Sequence, residues 1–130
     1  MLKGTQNICL AGFLTGEKLT ELMGNAKVLL LPSVCYENCP LSILEAHSMG
    51  VPVVTMNMGG MAELVKDGVN GTLVDDPTPE GIALKIKETI ENEEYYKSLR
   101  KNCIIEKDSI LSVKTYSDIL VREYEKLVMR

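Results

Sequence analysis

The sequence predicts an α/β domain: a three-layer parallel sheet of about four strands, with helices finishing the chain. Three observations predict it. Short apolar runs alternate with stretches of helical period from Asn7 to Asp76, the βαβ alternation of a sheet covered by helices. The run "KVLLLPS" is apolar at consecutive positions, as strands buried on both faces are. Turn-forming segments follow the strand ends at Phe13–Gly16, Ser33–Pro40 and Met58–Met61, where parallel sheets bind ligands.

Each element has its own signal. Asn7–Phe13 is a short apolar run ending in turn chemistry, read as a first strand. Leu19, Leu22, Met23 and Ala26 then fall at i, i+3, i+4 and i+7, an amphipathic helix. Lys27–Ser33 reads as a second strand. Pro40–Gly50 reads as a helix with Pro40 in its first turn, Cys39 as N-cap and Gly50 as the stop. Val51–Met56 is a third strand. Gly59–Asn70 holds a glycine-rich turn, a short helix and a second turn. Gly71–Asp75 is a fourth strand. Thr78 is placed to cap a helix that begins at Pro79 and carries Ile82, Ile86 and Ile90 on one line. Two more helices are expected at Glu93–Lys107 and Ser112–Met129. The last aligns Val113, Tyr116, Leu120, Tyr124 and Leu127.

With 130 residues the chain holds one domain and one core. Its 45% apolar and 25% charged residues are those of a water-soluble globular protein. A net charge of −4 argues against nucleic acid as a partner, because no basic stripe offsets the phosphates. No apolar run spans a bilayer, and the N-terminus lacks the long apolar core of a signal peptide. A cytoplasmic location is expected, with peripheral membrane association left open. Cys9, Cys35, Cys39 and Cys103 include no C-x-x-C pair, so no metal is assigned. They read as reduced thiols, mostly buried.

The chemistry concentrates in "CYENCPLSILEAHSMGVPVV", Cys35–Val54. Cysteine caps a helix poorly, and Pro40 has no N–H. The amides of Leu41, Ser42 and Ile43 are then open to an anion at the positive end of the helix, or to water. Glu45, inside an apolar run, accepts hydrogen bonds and donates none, which suits vicinal hydroxyls such as those of a ribose. A structural ion pair or a solvated face is the alternative. Glu37 stands before the helix, either reaching the ligand beyond its phosphates or simply exposed. A carboxylate pair also suits glycoside hydrolysis, but the uncapped helix start favours a phosphorylated ligand. The chain has no G-x-G-x-x-G after a strand, no P-loop and no G-x-S-x-G. His47 reads as a helix-packing histidine.

These residues add up to a resemblance. "LLLPSVCYENCPLSILEAHSMGVPVVTMNMGGMAELVKDGVNGTLVDD" resembles the C-terminal domain of family 4 retaining glycosyltransferases (glycosyl transferases group 1) of the GT-B fold. The shared features are a strand ending in Pro-Ser, Glu-x7-Glu and Glu-Ala-x-x-x-Gly-x-Pro-Val-Val. A Gly-Gly-x-x-Glu turn and Asp-Gly-x-Asn-Gly follow in the same order. The resemblance implies a Rossmann-like donor-binding domain spanning 1–130, with no cofactor and a nucleotide diphosphate sugar as donor. It puts Glu45 on the donor ribose and Glu37 on the sugar, as both catalytic and donor-binding residue. It puts Asn38, Cys39, Leu41 and Ser42 around sugar and diphosphate, and Phe13, Leu14 and Thr15 at the base. The activity implied is transfer of a hexose-type sugar to an acceptor hydroxyl with retention. Such enzymes serve polysaccharide or glycolipid biosynthesis.

The chain departs from the family in having Cys39-Pro40-Leu41 where aromatic-Gly-Leu is common. It also matches only the later part of a donor domain, without the N-terminal domain or the two strands and basic diphosphate clamp that precede this part. This piece alone is expected to be inactive. Either Asn7–Phe13 and Lys27–Ser33 pair across the missing strands, or the open edge drives self-association. A nucleotide-sugar epimerase and a non-catalytic nucleotide-sugar-binding or interaction domain remain the alternatives. The sugar, base and acceptor are not named by the sequence.

Overall fold

The computed structural model describes residues 6–107 and 111–129. Its sheet has three parallel strands in the order β1 (Leu29–Leu31), β2 (Val53–Met56) and β3 (Gly71–Val74). Leu29 pairs with Val53, and Val53 with Gly71. The helices are α1 (Gly16–Gly24), α2 (Leu41–Ser48), α3 (Gly59–Leu64), α4 (Pro79–Glu91), α5 (Glu93–Glu106) and α6 (Val113–Val128).

β2 is the centre of the core, since all four of its residues are buried and both faces are therefore covered. Ile43 and Ala46 of α2, Met61 of α3 and Val65 pack with it. Thr55 Oγ1 donates to the Leu31 carbonyl at 2.9 Å. On β3 and α4 a hydroxyl chain closes without a spare donor. Thr89 Oγ1 donates to the Lys85 carbonyl (2.7 Å), so Thr72 must donate to Thr89 (2.8 Å).

Two expectations fail at one edge of the sheet. Asn7–Phe13 forms no strand. Asn7 and Gly12 take left-handed φ values of 71° and 69°, which break an extended run near both ends. Without a partner strand its side chains stay in solvent, with Leu10 68% and Phe13 94% exposed. The sheet thus has three strands rather than four, and Asn7–Phe13 does not pair with β1. β1 is consequently not covered on both faces. Leu29 and Leu31 lean on the core while Leu30 is 39% exposed.

α5 buckles the amino ends of all three strands through backbone carbonyls. Tyr96 Oη donates to Lys27 O (3.0 Å), before β1. Arg100 Nε donates to Gly50 O (3.0 Å), before β2. Asn102 Nδ2 donates to Val69 O (2.9 Å) and Cys103 Sγ to Asn70 O (3.3 Å), before β3. Cys103 is buried, but Cys9, Cys35 and Cys39 are exposed, against the expectation of mostly buried thiols. The three lie in the N-terminal segment and in the loop after β1, whose residues 34–39 are all exposed. α6 forms with Ser112 as its cap, yet buries none of its residues.

The segment 66–70 is a clasp. Buried Asn70 accepts the Lys66 N–H (2.8 Å) and donates to Leu64 O (3.2 Å), while Asp67 Oδ1 accepts the Leu73 N–H (2.8 Å). A second close joint links the turn after β2 to the loop after β1. The Gly60 N–H donates to the Glu37 carbonyl at 2.7 Å. A Cβ on Gly60 would stand 1.8 Å from the Asn38 carbonyl oxygen, so no side chain fits.

Two stability predictions follow from these joints. Asn70→Ala should lower the unfolding free energy by about 1.5–3 kcal/mol, because the Lys66 amide and Leu64 carbonyl lose their partner; an unchanged urea midpoint would refute the clasp. Gly60→Ala should cost more than about 2 kcal/mol through overpacking against backbone. Gly24→Ala, whose Cβ would meet Met49 Sδ at an ordinary 3.7 Å, should be neutral or stabilising by up to about 1 kcal/mol. Equal effects of the two glycine substitutions in urea unfolding would contradict the packing described.

Candidate functional site

The α5 buckle leaves the carboxyl ends of the strands as the open edge of the sheet. Glu37 sits there, in the loop from β1 to α2. The loop is tied internally: the Cys35 N–H donates to Ser33 Oγ (3.3 Å) and the Glu37 N–H to Cys35 O (2.9 Å). Ser33 Oγ lies 3.4 Å from Glu37 Oε1, a weak restraint on the carboxylate. Gly60 supplies the external tie. The glycine pair of this turn makes a close backbone approach. In the structure what it approaches is the Glu37–Asn38 peptide.

α2 begins one residue later than the sequence suggests. Pro40, not Cys39, is the N-cap: its ψ of 105° is extended, and helical geometry starts at Leu41. No side chain caps the helix. The Ile43 N–H turns back to Pro40 O at 3.1 Å, which removes it from the open donors. The amides of Leu41 and Ser42 remain pointed out of the first turn. Leu41 is exposed, and Ser42 half-buried.

Of the alternatives the sequence leaves open for Glu45, an exposed position is what the structure shows. The helix is buried along one face. Its buried face is Ile43, Ala46 and His47, and Glu45 lies outside that face, exposed. Its carboxylate makes no hydrogen bond or ion pair with the described residues, while its backbone carbonyl accepts from Ser48 Oγ (2.7 Å). Chemically, this presents a free acceptor about 6 Å along the helix axis from two free donors. His47 is 3% exposed and packs in the helix interface.

Asn38 and Cys39 are exposed beside this helix start. Cys39 and Leu41 also line an apolar groove of about 700 Å³ with Leu44, Leu64, Val113 and Tyr116. Neither Glu37 nor Glu45 lines it. Phe13, Leu14 and Thr15 are not brought to these residues by any hydrogen bond described. Leu14 lines a hollow with Lys18, Glu21 and Leu22 of α1, and Thr15 is the N-cap of α1 without a side-chain bond.

One pair at the open edge went unseen in the sequence. Asn57 directly follows β2 and Asp75 directly follows β3, and Asn57 Nδ2 donates to Asp75 Oδ1 at 2.8 Å. Both are exposed polar residues in turns, 18 apart, so nothing local marks them as partners. No described helix is long and apolar enough to cross a membrane.

Comparison with known proteins places this arrangement. Residues 2–104 match the family Glycosyl transferases group 1. An uncharacterized glycosyltransferase of Methanocaldococcus jannaschii is 36% identical over 101 residues, covering 75% of this chain and 26% of that protein. The amylovoran biosynthesis glycosyltransferase of Erwinia amylovora is 30% identical over 79 residues, 57% of this chain and 19% of that protein. The crystal structure of Anabaena HepE in complex with UDP-glucose superposes with a TM-score of 0.74 at 26% identity. It covers 82% of this chain and 29% of that chain. The chain therefore spans about a quarter of the length of relatives such as the first, where the covered share is 26%. A parallel α/β sheet, an open carboxyl edge carrying Glu-x7-Glu, and a family match over most of its length lead to one assignment: this chain belongs to the glycosyl transferases group 1 family and has the fold of part of a GT-B glycosyltransferase.

Proposed function

We propose that this chain holds the nucleotide sugar in a retaining glycosyltransferase that moves a hexosyl unit from a nucleoside diphosphate donor to an acceptor hydroxyl. The observation that carries the reading is the start of α2. Among the described residues the Leu41 and Ser42 amides find no hydrogen-bond partner. In sequence they lie between a loop carboxylate, Glu37, and an exposed helix carboxylate, Glu45, that makes no bond to the described residues. That sequence of groups mirrors the donor: sugar hydroxyls, diphosphate, ribose. Glu37 accepts from the sugar hydroxyls, and Asn38 and Cys39 flank the sugar. The Leu41 and Ser42 amides and the helix dipole meet the diphosphate. Glu45 accepts from the ribose hydroxyls, and Phe13–Thr15 form the wall on the base side.

In the reaction the negative charge grows on the departing diphosphate, so fixed donors at that point lower the barrier. The segment Ser33–Thr55 contains no Lys or Arg. The two amides and the dipole are its whole contribution, and the cationic groups come from the part of the cleft outside this chain. The chain alone then binds donor without turning it over. Uridine diphosphate glucose is the first donor to test, because HepE, the structural neighbour, was crystallised with it. No cofactor is assigned, and the location proposed is cytoplasmic.

The two carboxylates give separable predictions. Glu45→Ala should weaken UDP and UDP-glucose alike, by about tenfold or more, the scale of a hydrogen bond to a charged group. Glu37→Ala should weaken UDP-glucose to the level of UDP and leave UDP unchanged. Titrations followed by NMR or calorimetry read both. Wild-type affinity for neither ligand, or for both variants equal to wild type, removes the donor-site reading.

A further inference from the structure

We propose that Asn57 is a positioning residue for the donor sugar, acting through the turn that holds the Glu37 peptide. The proposal rests on the reading of Glu37 as the sugar-side carboxylate and adds what sets its position. The Glu37 carboxylate itself is weakly restrained, by a 3.4 Å approach of Ser33 Oγ. Its backbone is fixed by the 2.7 Å bond from the Gly60 N–H. Gly60 can be no better placed than the turn that carries it, and that turn begins at Asn57.

Asn57 is held at both its backbone and its side chain. Its N–H donates to Val74 O (2.9 Å), and its Nδ2 donates to Asp75 Oδ1 (2.8 Å). Both bonds land on the residues ending β3, so the turn is referenced to the sheet rather than to solvent. The Met58 N–H then turns back to Met56 O (2.9 Å), and Gly59 follows at φ 52°, where an added Cβ would stand 2.9 Å from the Glu37 carbonyl oxygen. The chain of fixed points runs from β3 through Asn57 and Gly60 to Glu37. A small hollow of about 190 Å³ beside the turn is lined by Asn57, Asp75, Met58 and Val34. Val34 belongs to the same loop as Glu37. Freed from Asp75, the Asn57 side chain and its turn can move into that space.

A surface hydrogen bond such as Asn57–Asp75 adds little to stability. Its use is geometric, and a displacement of the supporting turn by a fraction of an ångström is enough to spoil a carboxylate's alignment with sugar hydroxyls. Glu45 is outside the route, because it rides on α2, whose buried face is packed against the core.

The test uses the unliganded chain and two ligands, UDP and UDP-glucose. In the unliganded chain Asn57→Ala should change the chemical shifts of Glu37 and Asn38 and speed exchange of the Gly60 amide, while unfolding stays two-state. In titrations it should lower UDP-glucose affinity about fivefold to tenfold and leave UDP affinity unchanged. Exchanging the pair, Asn57→Asp together with Asp75→Asn, restores one amide–carboxylate bond in reverse and should recover the UDP-glucose affinity. Unchanged Glu37 shifts and Gly60 exchange in the Asn57→Ala chain overturn the proposal whether or not any sugar binds. Equal losses for UDP and UDP-glucose, or no rescue by the exchanged pair, also overturn it, by reducing Asn57 to a structural role. If wild type binds UDP-glucose no better than UDP although the Gly60 tether responds as expected, the sugar-site reading of Glu37 fails, and this proposal with it.

Discussion

The structure turns on a backbone contact that leaves no room for a side chain. The Gly60 amide meets the Glu37 carbonyl at 2.7 Å, with the Asn38 carbonyl oxygen 1.8 Å from where a Cβ would stand. This one approach fixes the loop after β1 to the turn after β2. It therefore decides where Glu37 sits relative to the start of α2. Any residue larger than glycine would push the two segments apart and open the wall of the site. The buried β2 strand supplies the rigidity behind the contact, since all four of its residues are covered and it cannot shift without disturbing both faces of the core.

The two ends of the sheet are treated differently. At the amino ends, α5 sends Tyr96, Arg100, Asn102 and Cys103 to the carbonyls of the segments entering each strand. Each bond is worth on the order of 1 kcal/mol, and together they tie α5 to the segments that enter all three strands. At the carboxyl ends, among the described residues, no helix sends a comparable row of side chains; the side-chain bond there joins two loop residues, Asn57 and Asp75. Backbone donors of α2 stay open, and Glu45 stays exposed. Uncapped amides at a helix start are open to water or to an anion, and the proposed donor would satisfy them.

Much of this was readable in the sequence, for local reasons. The Thr78 cap, the stop at Gly50 and the helical period of α1 and α4 act over a few residues and appear in the structure, although of the α1 stripe Met23 and Ala26 reach the core while Leu19 and Leu22 stay exposed. The failures were non-local. Asn7–Phe13 has the composition of a strand but no neighbour to pair with, and two left-handed residues interrupt it. Glu45 sits among apolar residues in the sequence, yet the helix period carries it off the buried face. Asn57 and Asp75 become partners only because β2 and β3 pair in register. The roles of Phe13–Thr15 came from resemblance, and the structure leaves these residues away from any described bond to the α2 loop.

On the donor reading proposed, the open start of α2 holds the nucleotide sugar. An amide NMR titration of the chain with UDP-glucose tests this. The largest shift changes should fall on Leu41 and Ser42, with Glu37, Asn38 and Glu45 next. Shifts mapping instead to the groove lined by Leu64, Val113 and Tyr116, or no saturable change at all, would contradict it.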